Sequence, residues 1–184
     1  PAQILYDIIR KLSEDSEVEV SSGKNDQVEV KSGRSKFKLL SLPAESFPTF
    51  EQNDLPNRFT LPARDLRALI DKVRFAISNE ETRYYLNGIY LHVGEENGTP
   101  VIRTASTDGH RLARVSVTLP KGAEDIPGVI IPKKTVSELR KLLSDFDKEV
   151  EVSLSESKII FAFGDIIVSS KLIDGKFPDY ERVI

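Results

Sequence analysis

Asp108-Gly109-His110-Arg111 is the stretch of this sequence whose residue types come nearest to catalysis. An aspartate can orient an imidazole, and imidazole titrates near neutrality, so the pair could do acid/base work. The rest of the chain lends that reading little. The other histidine is His92, and neither a glycine-rich phosphate loop nor a metal-ligand pair accompanies the motif. His110 has two non-catalytic readings: a turn residue hydrogen-bonded to backbone, or a residue lining a groove. The absence of cysteine excludes a disulfide framework, a thiolate metal site and a cysteine nucleophile together. No cofactor and no metal are expected, and the sequon Asn97-Gly98-Thr99 reads as a turn.

The other chemistry on offer is positive charge at helical spacing. Pro62 and Pro132 each lead an amphipathic run, and proline suits a first helical position, where an N–H would have no partner. The apolar residues are Leu66, Leu69, Ile70, Val73 and Ile77 in one run and Val136, Leu139, Leu142 and Leu143 in the other. At about 100° per residue, Lys134, Ser137 and Lys141 point away from the second stripe, with Lys133 and Arg140 flanking them. Arg64, Arg67 and Arg74 share a face beside the first. Either face alone could be an ordinary solvated one. Their recurrence implies a continuous surface that attracts phosphate by counterion release, without reading bases.

Charge is segregated to match. The formal net charge is −3, but residues 1–12, 62–77 and 132–143 carry +1, +2 and +3, which leaves −9 for the remainder. Such a chain suits one cationic surface and an acidic exterior. With 39% hydrophobic and 30% charged residues the composition is that of an ordinary globular protein. No run of about 18 apolar residues and no signal-peptide pattern is visible, so a cytoplasmic protein without a membrane partner is expected. The chain opens on Pro1 and lacks methionine, which suggests a larger parent.

The helices belong to an internal repeat. PAQILYDIIRKLS from Pro1 and PKKTVSELRKLLS from Pro132 align at an offset of 131, which also pairs Gly33 with Gly164. Glu17–Val20 matches Glu149–Val152 at an offset of 132, and Leu42, Phe47-Pro48 and Phe50 match Leu172, Phe177-Pro178 and Tyr180 at 130. The two Phe-Pro pairs read as lids on equivalent cores. A weaker repeat, offset by 70, pairs Phe59–Pro62 with Val129–Pro132. Each helix is expected to bury one stripe and to be followed by strands: Glu17 to Val20, Gln27 to Lys31 and Ser35 to Leu40, then Val150 to Leu154, Lys158 to Phe163 and Asp165 to Leu172. Repeated helix-plus-antiparallel-strand half-units argue for an α+β class with helices on one side and sheets on the other. The polar stretch 50–57 is the natural linker.

Three strings then bring a family into view: Arg83-Tyr-Tyr-Leu-Asn-Gly88, Thr107-Asp-Gly-His-Arg-Leu-Ala113 and Lys171-Leu-Ile-Asp-Gly-Lys-Phe-Pro-Asp-Tyr180. At these separations, and over the entire chain, they resemble the bacterial sliding clamp, the beta subunit of DNA polymerase III. The resemblance implies a DNA clamp fold of duplicated half-units, helices on the inner face and sheets outside, with residues 1–54 as the C-terminal half of a first domain and 55–184 as a complete central domain. A third domain would be absent. Two full-length chains would close head to tail into a homodimeric ring around double-stranded DNA, a non-catalytic processivity factor. Its partners would be the polymerase III catalytic subunit, clamp-loader subunits and other proteins bearing a clamp-binding motif. Matched motif by motif, the partner-peptide cleft would take Leu86, Thr107, Gly109, His110, Arg111, Leu112, Pro178, Arg182 and Val183. DNA contacts would add Arg83, Tyr84 and Tyr85 to Lys133, Lys134 and the helix-face cations Arg64, Arg67 and Lys141. Alternation would bury one tyrosine of the pair and expose the other. Glu80 places a carboxylate where family members carry a neutral amide, which argues against a direct contact there. The dimer interface would match Arg34, Lys36, Phe37 and Leu39 on an edge strand. The competing class is a duplex-binding accessory domain that never encircles DNA.

Overall fold

Apolar residues at helical spacing make Ala2–Ile9 a short helix, α1, and three alternating runs follow as strands: β1 (Glu19–Ser22), β2 (Gln27–Ser32) and β3 (Ser35–Leu40). The computed structural model describes residues 2–23, 25–46 and 55–184. Phe47-Pro48, Phe50 and most of the 50–57 linker lie outside them. The chain divides into two compact units, Pro1–Glu51 and Gln52–Ile184.

The first unit holds α1 and an antiparallel meander in the order β1-β2-β3. The stripe expected to be buried on α1 is not: no α1 residue is buried, and Ile4, Tyr6 and Ile9 are exposed. One short helix and three short strands can bury few residues. Val30 and Ser32 are the buried residues of this unit among those described.

The second unit contains two copies of one plan. The first is β4 (Asn57–Pro62), α2 (Ala63–Asp71), β5 (Gly88–Glu96), β6 (Thr99–Thr107) and β7 (Leu112–Thr118). The second is β8 (Val129–Pro132), α3 (Lys133–Leu142), β9 (Glu149–Leu154), β10 (Lys158–Phe163) and β11 (Ile166–Lys171). The copies exchange their first strands. Strand order is β11-β10-β9-β4 in one sheet and β7-β6-β5-β8 in the other, each antiparallel throughout. Equivalent hydrogen bonds mark the exchange: Ala63 N–H donates to Lys148 O and Lys133 N–H to Asn87 O, both at 2.9 Å.

The repeat offsets hold at residue level. The strand bounds of the β2–β3 and β10–β11 hairpins share an offset of 131, with Gly33 and Gly164 both at φ +54° in the turn. Val20 pairs with Val30 and Val152 with Phe161, so the preceding strands align at 132.

Three helix expectations are corrected. Pro62 and Pro132 sit one residue ahead of the first helical position, with ψ of 139° and 145°; the fixed proline φ ends a strand and enters a helix at one residue. The run predicted as one helix to Ile77 breaks after Asp71 into a separate 3-10 turn, Arg74–Ala76. The cause lies in β6, where the hydroxyls of Thr104 and Ser106 donate to Leu69 O at 2.6 Å and Val73 O at 2.5 Å, satisfying carbonyls at the helix end. Val73 and Ile77 stay buried nonetheless. Leu142 is 41% exposed, so the buried stripe of α3 is Val136, Leu139 and Leu143.

One core joins both helices to both sheets: Leu66, Leu69 and Ile70 meet Val136, Leu139 and Leu143 over Phe59, Ile89, Ile102, Val152 and Phe161. Among the described residues no helix is long and apolar enough to cross a membrane. Leu139→Ala is expected to lower unfolding free energy by about 2–5 kcal/mol in urea titrations. Leu142→Ala should change it by roughly 0.5 kcal/mol or less; equal losses would refute this register for α3.

Candidate functional site

The three strings that carry the family resemblance meet in space. Arg83, from a 3-10 segment (Glu81–Leu86), donates through Nη2 to Asp108 O at 3.1 Å, reaching the loop between β6 and β7. That loop requires Gly109: its φ is +90°, and a Cβ there would lie 2.5 Å from Arg83 Nη1. Tyr84 and Tyr85 pack on Gly175, where an added Cβ would come within 3.0 Å of Tyr85. Beneath them Leu86, Ala105, Ile130, Phe177 and Tyr180 form a second small core, with Tyr85 and Leu112 at its margin.

The acid/base reading of Asp108 and His110 loses its basis here. Asp108 Oδ1 accepts the backbone N–H groups of His110 and Arg111, both at 3.0 Å, and Oδ2 accepts Arg111 Nε at 2.9 Å. The two backbone donors, then the Arg111 guanidinium, hold the Asp108 carboxyl down at about 2. It caps a turn, and its hydrogen bonds go to backbone and Arg111. Thr107 completes the loop, its hydroxyl donating to Arg111 O at 2.8 Å and accepting Gly109 N–H at 3.0 Å. His110 is exposed on this turn, and Arg111 lies over the Phe75 ring, 5.6 Å from its centroid.

On the helix faces the cations divide into free and committed groups. Arg64 has a side chain 79% exposed, 3.4 Å from Asp65. Lys134 is exposed with no ion-pair or hydrogen-bond partner among the described residues. Among the described residues Lys141 reaches only its helix neighbour Glu138, at 3.1 Å. Lys133 binds Asn79 through Nζ and remains exposed. Arg67 corrects the expectation of a free cation. Its Nη1 donates to Leu143 O at 2.7 Å and Phe146 O at 2.6 Å, and its Nη2 to Asp147 at 3.0 Å, so this α2 residue caps the C-terminus of α3. Arg74 is likewise held, by Asp71 at 3.2 Å. Asp71 also accepts Arg140 of α3 at 2.8 Å, so the solvent faces of α2 and α3 adjoin.

Arg83 is also committed. Glu80 takes its Nε at 2.8 Å and Nη2 at 2.5 Å, which lowers the carboxyl's pKa and raises that of the guanidinium. Glu80 thus neutralises the cation beside it. The tyrosines divide as expected, Tyr84 53% exposed and Tyr85 partly buried, but on a 3-10 segment and not by strand alternation.

Of the residues expected to line a groove, Thr107, Gly109, His110, Arg111 and Leu112 share the β6–β7 turn, while exposed Pro178, Arg182 and Val183 lie on the segment after β11. Leu86 departs from its expected place: at 3% exposure it supports the surface from below. In the first unit β3 is an edge strand that pairs only with β2 among the described residues. Phe37 and Leu39 on it are half-buried opposite Val30 and Val28, Lys36 pairs with Glu29 at 2.9 Å, and Arg34 is exposed in the preceding turn.

Sequence reading missed the structural work of Asp71 and Arg103. For Arg103 a signal existed, a lone cation inside the apolar run Val101–Ala105.

Two outcomes follow. The Asp108 carboxyl should titrate near pH 2 by NMR; its contribution to stability is complete above its ordinary value of 3.8 and is lost as pH falls toward 2. A midpoint near 3.8 would show that the turn's hydrogen bonds do not form. Arg67→Ala should cost about 1–3 kcal/mol in urea unfolding by stranding the Leu143 and Phe146 carbonyls, whereas Arg64→Ala should be nearly silent.

Comparison with known proteins places these features in a family. The profile for the DNA polymerase III beta subunit, central domain, matches residues 60–179, and that for the N-terminal domain of the same subunit matches 1–51. The beta sliding clamp of Caulobacter vibrioides is 47% identical over 185 residues, spanning 100% of this chain and 50% of that protein. The Escherichia coli beta sliding clamp is 39% identical over 187 residues, again 100% of this chain but 49% of its own length. Among solved structures, the sliding clamp of Bartonella birtlesii bound to griselimycin is similar with a TM-score of 0.89 at 48% identity, covering 100% of this chain and 49% of that one. The chain thus spans about half the length of the curated relatives it matches, and it belongs to the DNA polymerase III beta subunit family, the bacterial sliding clamps.

Proposed function

We propose that this chain is part of a processivity clamp, a non-catalytic cytoplasmic ring that surrounds duplex DNA and tethers the replicative polymerase. In this reading residues 1–54 are the C-terminal half of the first domain and 55–184 the central domain. The ring is a homodimer of full-length chains, joined at the β3 edge through Arg34, Lys36, Phe37 and Leu39. The observation that carries the proposal is the pair of adjoining helix faces, linked by Arg140 and Asp71, that present Arg64, Lys133, Lys134 and Lys141 to solvent.

These cations suit phosphate and not bases: they are long, exposed and held weakly or not at all. Exposed ion pairs contribute roughly 0–1 kcal/mol, so Lys141 and Arg64 can trade a carboxylate for a phosphate at little cost. Contacts this easily exchanged let a ring slide. Tyr84, exposed at the end of the Arg83 loop, would add a stacking or sugar contact. Arg67 and Arg83, already engaged within the domain, would contribute shape and potential more than direct bonds.

The polymerase, clamp-loader subunits and other motif-bearing proteins would dock as short peptides. The β6–β7 turn and the Pro178–Val183 segment supply a half-groove with Leu112 and Val183 as apolar floor and His110, Arg111 and Arg182 as polar orienters.

The charge-reversed double variant Lys133→Glu, Lys134→Glu, in the full-length parent, should fold normally yet be lost faster from closed circular DNA. Its salt slope should shrink by roughly 0.9 for each phosphate contact removed. Retention unchanged at moderate salt would count against these helices as the DNA-facing surface.

A further inference from the structure

The residues after β11 cross the face of the β7-β6-β5-β8 sheet that is turned away from the helices. In β5, Ile89 and Leu91 face the core, so Tyr90 and His92 point to the other side; in β6, Thr104 reaches α2, so Arg103 and Ala105 point outward with them. On that outer face the crossing segment is held at three places. Tyr90 stacks on Phe177, centroids 4.9 Å apart and planes 6° from parallel, and also on His92 at 4.6 Å. His92 Nδ1 lies 2.7 Å from Val93 O, which fixes the proton on that nitrogen and leaves Nε2 to accept the Tyr180 hydroxyl at 2.7 Å. Arg103, whose side chain is 2% exposed, donates to Ser116 Oγ and Glu95 O, each at 2.9 Å, and to Glu181 Oε1 at 2.7 Å.

The Arg103 contact carries the argument. A guanidinium buried this deeply is tolerated only when its donors and its charge are both answered. Ser116 and Glu95 O answer two donors; the carboxylate comes from Glu181, on the crossing segment itself. Gly94 leaves room for this, since a Cβ there would stand 3.0 Å from Arg103 Nη1. Lifting the segment would strand the buried cation, deprive His92 of its partner and unstack Phe177. Residues 177–181 are therefore pinned, while Pro178, Arg182 and Val183 among them and just beyond stay exposed.

We infer that Arg103, His92 and Tyr90 are positioning residues for the partner groove: from the outer face of the sheet they fix the segment whose exposed side chains form one groove wall. The inference rests on the groove reading given above. It predicts that a peptide-like ligand finds this wall already in place, so its affinity depends on residues it never touches.

The test uses Tyr180→Phe and Glu181→Gln, which keep side-chain shape while removing one hydroxyl and one charge. Amide hydrogen exchange of residues 177–183, read by mass spectrometry in the full-length parent, should speed up by roughly two- to tenfold in each variant. Exchange in β9 and β10 should not change. Griselimycin, carried by the Bartonella relative, serves as the probe: its affinity should fall by a similar factor, with NMR shifts at Leu112 and Val183 in the unsubstituted protein. Unchanged exchange at 177–183, or acceleration spread evenly through β9 and β10, would overturn the positioning role. Loosened 177–183 with unchanged griselimycin affinity would overturn it too. No griselimycin response at Leu112 or Val183 in the unsubstituted protein would instead remove the groove reading itself, and the exchange result would still decide whether these side chains pin the segment.

Discussion

Neither half of residues 55–184 can close a sheet alone, because β4 completes the sheet of the second copy and β8 that of the first. The exchange happens at one residue in each copy, a proline that ends the strand while the next residue's N–H crosses to the neighbouring chain segment. Two helices must therefore start at equivalent points and lie side by side over a shared core. Their solvent faces become neighbours whatever residues they carry. The constraint is geometric, and everything functional in the chain is a choice of side chains placed upon it.

Those choices separate structural cations from available ones. Arg67 spends its donors on the carbonyls that end α3, Arg140 and Arg74 converge on Asp71, and Arg83 is neutralised by Glu80 while it braces the β6–β7 turn. Arg64, Lys134, Lys141 and Lys133 are the least committed of the helix-face cations named above. A count of lysines and arginines on a helical wheel overstates the surface charge, since a guanidinium with several donors satisfies backbone oxygens readily and a lysine on a long stem does not. The net charge of −3 conceals this division as well.

Much of the plan was legible in the residues. The offset of 131 between Pro1 and Pro132 reappears as matching hairpins with matching glycines, and the offset of 70 reappears as the two proline-led helices. What sequence could not show was where tertiary partners overrule periodicity. Val73 and Ile77 fit a helical stripe, yet hydroxyls from a distant strand end that helix at Asp71. Leu142 fits one too, and it faces solvent. Asp108 beside His110 resembles an acid/base pair until its oxygens are found on backbone N–H groups. The stripe on α1 is read correctly as apolar, but none of its residues is buried among those described.

The proposed function is topological: a full-length ring would hold DNA by surrounding it, with the cationic helices softening the passage. Loading labelled full-length protein onto a nicked circular plasmid and then cutting that plasmid once tests this directly. Encirclement predicts stable retention before the cut and loss from the free ends after it, at a salt concentration that leaves the uncut complex intact. Protein that stays on the linear DNA as long as on the circle, or that leaves both at the same salt-dependent rate, would contradict it.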